Sequence, residues 1–217
     1  MDGLINRKDW LSLLDKVKEG AILYVSFDQG FLSPFLEPAG IEVVTSQNRS
    51  KPANFISNDG SIKSFSMSMS RKLNIEANTA KVLAHENDGN PIFTVNSYGK
   101  GKIYFLGIPM EMNLTRKVGG FTEDPAECWK IYKIIAAEII KQNRVVEKND
   151  PFVGITEHDL SSDSKVIVLV NYSPADRQVE LSIKDGWKVE KVLHGKLPTK
   201  SGVELKANDA CVLQLKK

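Results

Sequence analysis

The stretch NRKDWLSLLDKVKEGAILYVS, residues 6–26, indicates the fold class. Asn6 is a helix N-cap residue, Asp9 follows three residues later as in a capping box, and Gly20 ends the periodic pattern. The predicted helix carries one apolar stripe, made by Trp10, Leu13, Leu14 and Val17. Directly after it, residues 21–26 form an almost unbroken apolar run, typical of a strand buried on both faces of a parallel sheet. Helix followed by buried strand favours an α/β fold.

The following residues extend this pattern to about residue 148. A short crossover at residues 31–39 leads to a strand at 41–45, and short strands are predicted at 55–56, 62–69 and 81–85. Residues 91–96 and 102–108 flank Gly99 and Gly101, which predicts an antiparallel hairpin. A long helix follows, with Asp124 as cap, Pro125 in the first turn and Glu127 completing a capping box. Its predicted core stripe consists of Cys128, Ile131, Ile135 and Ile139.

The rest of the chain changes character after a polar, proline-ended segment at residues 147–151, which we interpret as a linker. Six strands are predicted, and the residues from 178 to 183 alternate between polar and apolar. Short strands with frequent turn residues favour a small β-sandwich. We therefore expect an α/β domain at residues 1–148 and an all-β sandwich at residues 152–217.

Composition excludes several classes of function. The 217 residues have a formal net charge of +2, spread evenly over both halves, so the sequence indicates neither a nucleic-acid partner nor a charged membrane surface. No apolar run approaches the length of a membrane span. The chain opens without a secretory leader, which favours a cytoplasmic location, although a domain cut from a longer secreted protein would also lack one.

Motifs for catalysis or cofactor binding are missing from the sequence. Gly99-Lys100-Gly101-Lys102 lacks the upstream glycine and the hydroxyl residue of a phosphate-binding loop. There is no Gly-x-Ser-x-Gly nucleophile elbow. Cys128 and Cys211 lie in apolar patterns and are predicted to pack in cores. The three histidines stand in separate neighbourhoods, so we predict no metal and no cofactor.

Two sets of residues remain as candidates for binding or chemistry. Tyr172 and Trp187 in the β-half could stack on sugar rings, although core packing is commoner for such aromatics. The other set, Ser26, Asp28 and Glu111, would lie near the carboxyl end of the first strand, where α/β sheets place their sites. No histidine lies near Ser26 and Asp28 in sequence, so loop capping is the favoured interpretation of those two.

Residues 89–107 resemble a hairpin of the glutamine-amidotransferase-like domain that follows the catalytic barrel in many glycoside hydrolases, of which the trimeric family 42 β-galactosidases are the best known. Residues 23–26 resemble the first strand of that domain, and residues 168–173 and 206–213 resemble the small sandwich that closes such hydrolases. The resemblance implies a flavodoxin-like α/β domain followed by a β-sandwich. It also implies that the catalytic carboxylates belong to a barrel outside this chain, and no cysteine of this chain occupies the nucleophile position of true amidotransferases.

We therefore expect a non-catalytic accessory region of a glycoside hydrolase, with a scaffolding, oligomerisation or cleft-wall role and no catalytic residue of its own. Its expected partners are the catalytic barrel of the parent chain, a second copy of itself, and carbohydrate. One alternative is a carbohydrate-binding module that uses Trp187 or Tyr172. The other is an independent hydrolase with a site around Ser26, Asp28 and Glu111.

Overall fold

The computed structural model describes residues 5–27, 35–116, 127–196, 198–199 and 202–217. Two compact units are present, Met1–Ile135 and Ala136–Lys217, and the division falls inside one helix. The first unit contains α1 (Arg7–Glu19), β1 (Ile22–Ser26), α2 (Leu36–Ala39), β2 (Ile41–Asn48), β3 (Ala53–Ser57), β4 (Phe65–Met67), β5 (Arg71–Ala77), β6 (Lys81–His85), β7 (Pro91–Tyr98), β8 (Gly101–Leu106), α3 (Met110–Arg116) and the start of α4 (Trp129–Asn143). No helix among the described residues is long and apolar enough to cross a membrane.

A six-stranded sheet in the order β1-β8-β7-β6-β3-β4 is the centre of the first unit. Among its described strands only β1 and β8 are parallel, so the expectation of a parallel sheet is wrong for the rest of it. The apolar run in β1 nevertheless has two packed faces. Ile22 and Tyr24 pack on one core cluster and Leu23 and Val25 on another. The sheet therefore has an apolar layer on each side, as in a mixed α/β domain.

Helix α1 begins as predicted, because the Asn6 side chain accepts a hydrogen bond from the Asp9 amide at 3.0 Å. Gly20 ends the helix with φ 126°, a conformation that side chains disfavour. Trp10, Leu14 and Val17 are buried. Leu13 is 38% exposed, so its place in the predicted stripe is wrong. At 100° per residue Leu13 lies at the margin of the buried face, beyond the reach of the sheet.

The hairpin of β7 and β8 is confirmed, with Ser97 opposite Lys102 and Tyr98 opposite Gly101. Gly99 has φ 61°, and a Cβ there would lie 2.6 Å from the Lys18 Cα. The Lys100 amide donates to the Lys18 carbonyl at 3.0 Å. The glycines therefore serve the close approach of this turn to the end of α1, and phosphate binding is not needed to explain them.

The long helix α4 begins later than predicted, at Trp129. Asp124 and Pro125 lie outside the described residues. Glu127 precedes the helix with φ 52° and pairs with Lys130 at 2.7 Å, so its assignment to a capping box is wrong. On the predicted stripe Cys128 and Ile131 are buried, Ile135 is half-buried and Ile139 is 47% exposed.

The second unit consists of antiparallel strands in two layers. One layer is a four-stranded sheet in the order β10-β11-β16-β14, and the other contains two short ladders, β12-β15 and β13-β9. A single apolar cluster takes residues from both layers. The strands are β9 (Val146–Lys148), β10 (Val153–Ser161), β11 (Ser164–Asn171), β12 (Arg177–Val179), β13 (Leu181–Ile183), β14 (Lys188–His194), β15 (Val203–Leu205) and β16 (Ala210–Lys216).

The six strands predicted for this unit are observed as the seven strands β10–β16. The count differs by one because the predicted strand at residues 178–183 is divided at Glu180 into β12 and β13. Strand β9 was not predicted, and it occupies the first part of the expected linker. Val146 in β9 is fully buried and pairs with Ile183. The domain limits 1–148 and 152–217 remain a prediction.

Candidate functional site at the end of strand β1

A carboxylate and three hydroxyl groups meet where β1 ends, within the first unit. The Tyr24 hydroxyl donates to Glu111 Oε1 at 2.8 Å, and the Tyr132 hydroxyl donates to the same oxygen at 2.7 Å. The Ser26 hydroxyl donates to Glu111 Oε2 at 2.7 Å. Tyr24 and Ser26 are two residues apart on β1 and so share a face, while Glu111 lies in the first turn of α3 and Tyr132 lies on α4. We call these four residues the Glu111 cluster.

The hydrogen bonds determine the electrostatics of the Glu111 cluster. Burial alone would raise the pKa of Glu111, but the hydrogen bonds from Tyr132, Ser26 and Tyr24 outweigh it and lower that pKa below its usual value. Burial, followed by the nearby charge of Glu111, raises the pKa of Tyr24. Burial and the hydrogen bond to Glu111 also raise the pKa of Tyr132. The carboxylate is therefore ionised and both phenols are protonated near neutral pH.

This arrangement is better suited to stabilising the fold than to transferring protons. A general base works best when its pKa lies near the working pH, and the pKa of Glu111 is shifted away from that range. Each of the three hydroxyl protons already points at the carboxylate. The cluster thus ties β1, α3 and α4 together through one half-buried charge with three charge-assisted hydrogen bonds.

Glu111→Gln should destabilise the first unit by about 1–2 kcal/mol at pH 7, because the hydroxyls would lose a charged acceptor. The pKa of Glu111 is lowered on folding, so its stabilising effect is complete above the unfolded-state pKa of about 4.3 and is lost as the pH falls through the folded-state pKa. Urea unfolding of both proteins from pH 7 to pH 3 should show the difference shrinking in acid. A difference that stays constant over this range would contradict the role of the ionised carboxylate.

The structure brings together two of the three residues suggested for an independent hydrolase. Ser26 and Glu111 are in contact, whereas Asp28 lies outside the described residues. Sequence reasoning missed both Tyr24 and Tyr132 as members of the cluster. The alternation of Tyr24 with Ser26 was the available signal, but nothing local to Tyr132 points to a carboxylate 21 residues away.

Tyr172 and Trp187 do not form a common surface. Tyr172 follows β11 and is 70% exposed, and its ring lies over Gly154, where a Cβ would come within 2.6 Å of Tyr172 Cε2. Trp187 is half-buried against the core of the second unit, with Lys165 Nζ 6.0 Å from its ring centroid. Lys165 and Tyr172 are seven residues apart along an extended chain, which places the two aromatics roughly 20 Å apart.

The two cysteines pack in apolar cores, as their sequence patterns indicate. Cys128 and Cys211 are both buried in core clusters, and burial raises the pKa of the Cys211 thiol. On β10, His158 bonds to Thr156, while the neighbouring carboxylates of Glu157 and Asp159 both pair with Lys165 on the other face. Within the described ranges no three His, Cys, Asp or Glu side chains come together as metal ligands.

Sequence reasoning also missed a buried ion pair in the first unit. The Arg49 guanidinium donates to both carboxylate oxygens of Glu86 at 2.8 and 2.7 Å, and both side chains are only 6% exposed. Arg49 also donates to the Arg71 carbonyl, and Asn90 donates to Glu86. The pair fixes the turn between β6 and β7. Its two residues are 37 positions apart, so no local pattern reveals it.

Comparison with solved structures finds the same fold in β-galactosidases. A β-galactosidase from Rahnella sp. R3 superposes with a TM-score of 0.65 at 18% identity, and it covers 98% of this chain and 31% of its own. The enzyme from Bacillus circulans sp. alkalophilus gives 0.64 at 16% identity, with 97% and 31% covered. A GH42 β-galactosidase from G. stearothermophilus gives 0.59 at 13% identity, with 98% and 30% covered.

No protein-family model and no curated protein sequence matches the chain. At these identities the structural likeness shows the fold alone. The chain spans about 30% of the length of the β-galactosidases that it matches. It therefore shares its fold, over almost all of its residues, with a partial region of GH42 β-galactosidases, which confirms the resemblance seen in the sequence.

Proposed function

We propose that this chain is a non-catalytic accessory region of a glycoside hydrolase. The observation that carries the proposal is the asymmetry of coverage, since 97–98% of this chain corresponds to only 30–31% of each β-galactosidase. The region would consist of a flavodoxin-like, glutamine-amidotransferase-like domain at residues 1–148 and a β-sandwich at residues 152–217. A catalytic barrel elsewhere in the parent protein would supply the carboxylates that cleave the glycosidic bond.

The Glu111 cluster supports a scaffolding role. Its carboxylate is engaged by three hydroxyl donors and its pKa is lowered, so it stiffens the carboxyl end of β1 and has no proton to give a leaving group. In this role the first unit would present a rigid wall to the catalytic barrel or to a second copy of the chain. The independent hydrolase has less support, because no histidine among the described residues bonds to Ser26, which donates to a weakly basic carboxylate.

A second candidate function is carbohydrate binding by the β-half, favoured by the exposure of Tyr172. A phenol ring that is 70% exposed and rests on a glycine offers a flat face to a sugar ring. Trp187 has less free surface, because part of it packs on the core.

The test of the accessory role is whether the purified chain hydrolyses aryl-glycosides. We expect no turnover above that of buffer, because no described cluster offers a general acid opposite a nucleophile. Turnover that disappears in Glu111→Gln would support the independent hydrolase instead.

A further inference from the structure

A small surface cavity, open to solvent, lies on the first unit, far in sequence from the Glu111 cluster. Its volume is about 300 Å³. The cavity lies at the point where β3 changes its pairing partner. Phe55 of β3 pairs with Phe65 of β4, and the next residue, Ile56, pairs with His85 of β6. Its polar side-chain groups are the amides of Asn54 and Asn87 and the hydroxyls of Ser64 and Ser66, and its aromatic groups are the stacked rings of Phe55 and Phe65.

The chemistry of the lining selects the ligand. None of the lining residues is charged, so an ionic ligand would find no countercharge. Two amides and two hydroxyls provide donors and acceptors for a molecule with several hydroxyl groups. The half-buried Phe65 ring, stacked 4.8 Å from Phe55, adds an apolar surface. A neutral molecule with hydroxyls at its edge and C–H groups on its face, which is a saccharide, matches both features.

Some of the polar groups are held in position before any ligand arrives. The Ser66 hydroxyl donates to Asn54 Oδ1 at 2.7 Å, so the Nδ2 group of Asn54 is left to donate, and no described residue accepts from it. Asn87 directly follows Glu86, whose amide donates to the Asn90 carbonyl at 2.9 Å. The buried pair of Arg49 and Glu86 fixes that turn. Polar groups that are already positioned lose little freedom on binding, which improves affinity.

We propose that this cavity binds one neutral saccharide unit, through Asn54, Asn87 and Ser64 with Phe65 as the apolar contact. A volume of about 300 Å³ is at the small end of ligand pockets, which suits a single ring with its neighbouring units in solvent. Saccharide binding at this cavity depends on the lining residues alone. It does not require the accessory role, and it concerns a different unit from Tyr172.

The experiment is an NMR titration of the full ¹⁵N-labelled chain with methyl β-galactoside and methyl β-glucoside, with galacturonate as a charged comparison. We expect shifts of the Asn54 and Asn87 side-chain amides with at least one neutral glycoside, and weaker shifts with galacturonate. Asn87 is exposed, so Asn87→Ala should leave the fold intact and weaken binding about tenfold, as expected for one lost hydrogen bond.

Tyr172→Ala is the matched control, since it alters the other candidate sugar site. Binding that persists in Tyr172→Ala and weakens in Asn87→Ala supports the cavity. Shifts that are centred on Tyr172 and vanish in Tyr172→Ala would overturn the proposal, as would the absence of any shift at saturating glycoside. Neither result changes the outcome of the aryl-glycoside assay, so the two proposals can fail separately.

Discussion

Gly101→Ala should cost the first unit about 3 kcal/mol of stability, among the greatest losses that we expect from one substitution in this chain. A Cβ at this position would overlap the carbonyl oxygens of Ala21 and Val17, as well as lie 3.0 Å from Val17 Cγ1. Backbone oxygens cannot move aside as a flexible side chain can. Relief would therefore require α1 and β8 to separate, although these elements share the core cluster that contains Val17 and Ile103.

Gly107→Ala is the matched control for this substitution. Gly107 follows the same strand, but a Cβ there would meet Ile92 at 3.5 Å, which is ordinary van der Waals contact. We expect a change within about 1 kcal/mol, because alanine at a compatible position also restricts the unfolded chain. Hydrogen exchange of the β7 and β8 amides reports the stability of this unit. Equal protection in the two variants would contradict the close packing of α1 against β8.

Arg49→Leu should destabilise the first unit by about 3–5 kcal/mol, because it leaves the Glu86 carboxylate buried without its partner. Glu86 is 5% exposed, and Asn90 alone would continue to donate to its side chain among the described residues. The double replacement Arg49→Leu with Glu86→Leu removes both charges and should recover a large part of the loss. Hydrogen exchange of the β6 and β7 amides measures each variant.

An exposed ion pair provides the comparison for Arg49 and Glu86. Lys206 and Asp176 also lie within hydrogen-bond distance, at 2.8 Å, but their side chains are 57% and 55% exposed. Lys206→Met should leave the stability of the second unit close to that of the unmodified chain, because water screens the pair. A similar loss of stability in Arg49→Leu and in Lys206→Met would show that the burial of Arg49 and Glu86 has no energetic consequence.

The strands with a clear alternation of apolar and polar residues could be predicted from the sequence. The alternating strands of the second unit and the hairpin of β7 and β8 were predicted within a few residues, because burial on one face leaves a clear period of two. Strand β5 was missed because Asn74 and the flanking charges weaken its alternation. Helix α3 has only seven residues, too few for a helical period to show. Strand β9 was missed because its Glu147 and Lys148 are typical of loops.

The candidate sites were less predictable, because their contacts join distant parts of the chain. Glu111 meets Tyr24 and Ser26 across 87 and 85 residues, so only the packing of α3 against the end of β1 brings them together. The placement of Ser26 at the carboxyl end of a parallel strand could be anticipated, since β1 and β8 are parallel. The saccharide cavity depends on the change of partner along β3, which no local motif encodes.

Turnover of aryl-glycosides distinguishes an accessory region from an enzyme. The purified chain, with Glu111→Gln and Ser26→Ala prepared in parallel to reveal contaminating enzyme, is measured on aryl β-galactosides and on a panel of other aryl-glycosides. If the chain is an accessory region, the unmodified chain and both variants should hydrolyse every substrate no faster than buffer does. A clear rate for the unmodified chain that drops about 100-fold or more in either variant would show catalysis by the Glu111 cluster and contradict the accessory role.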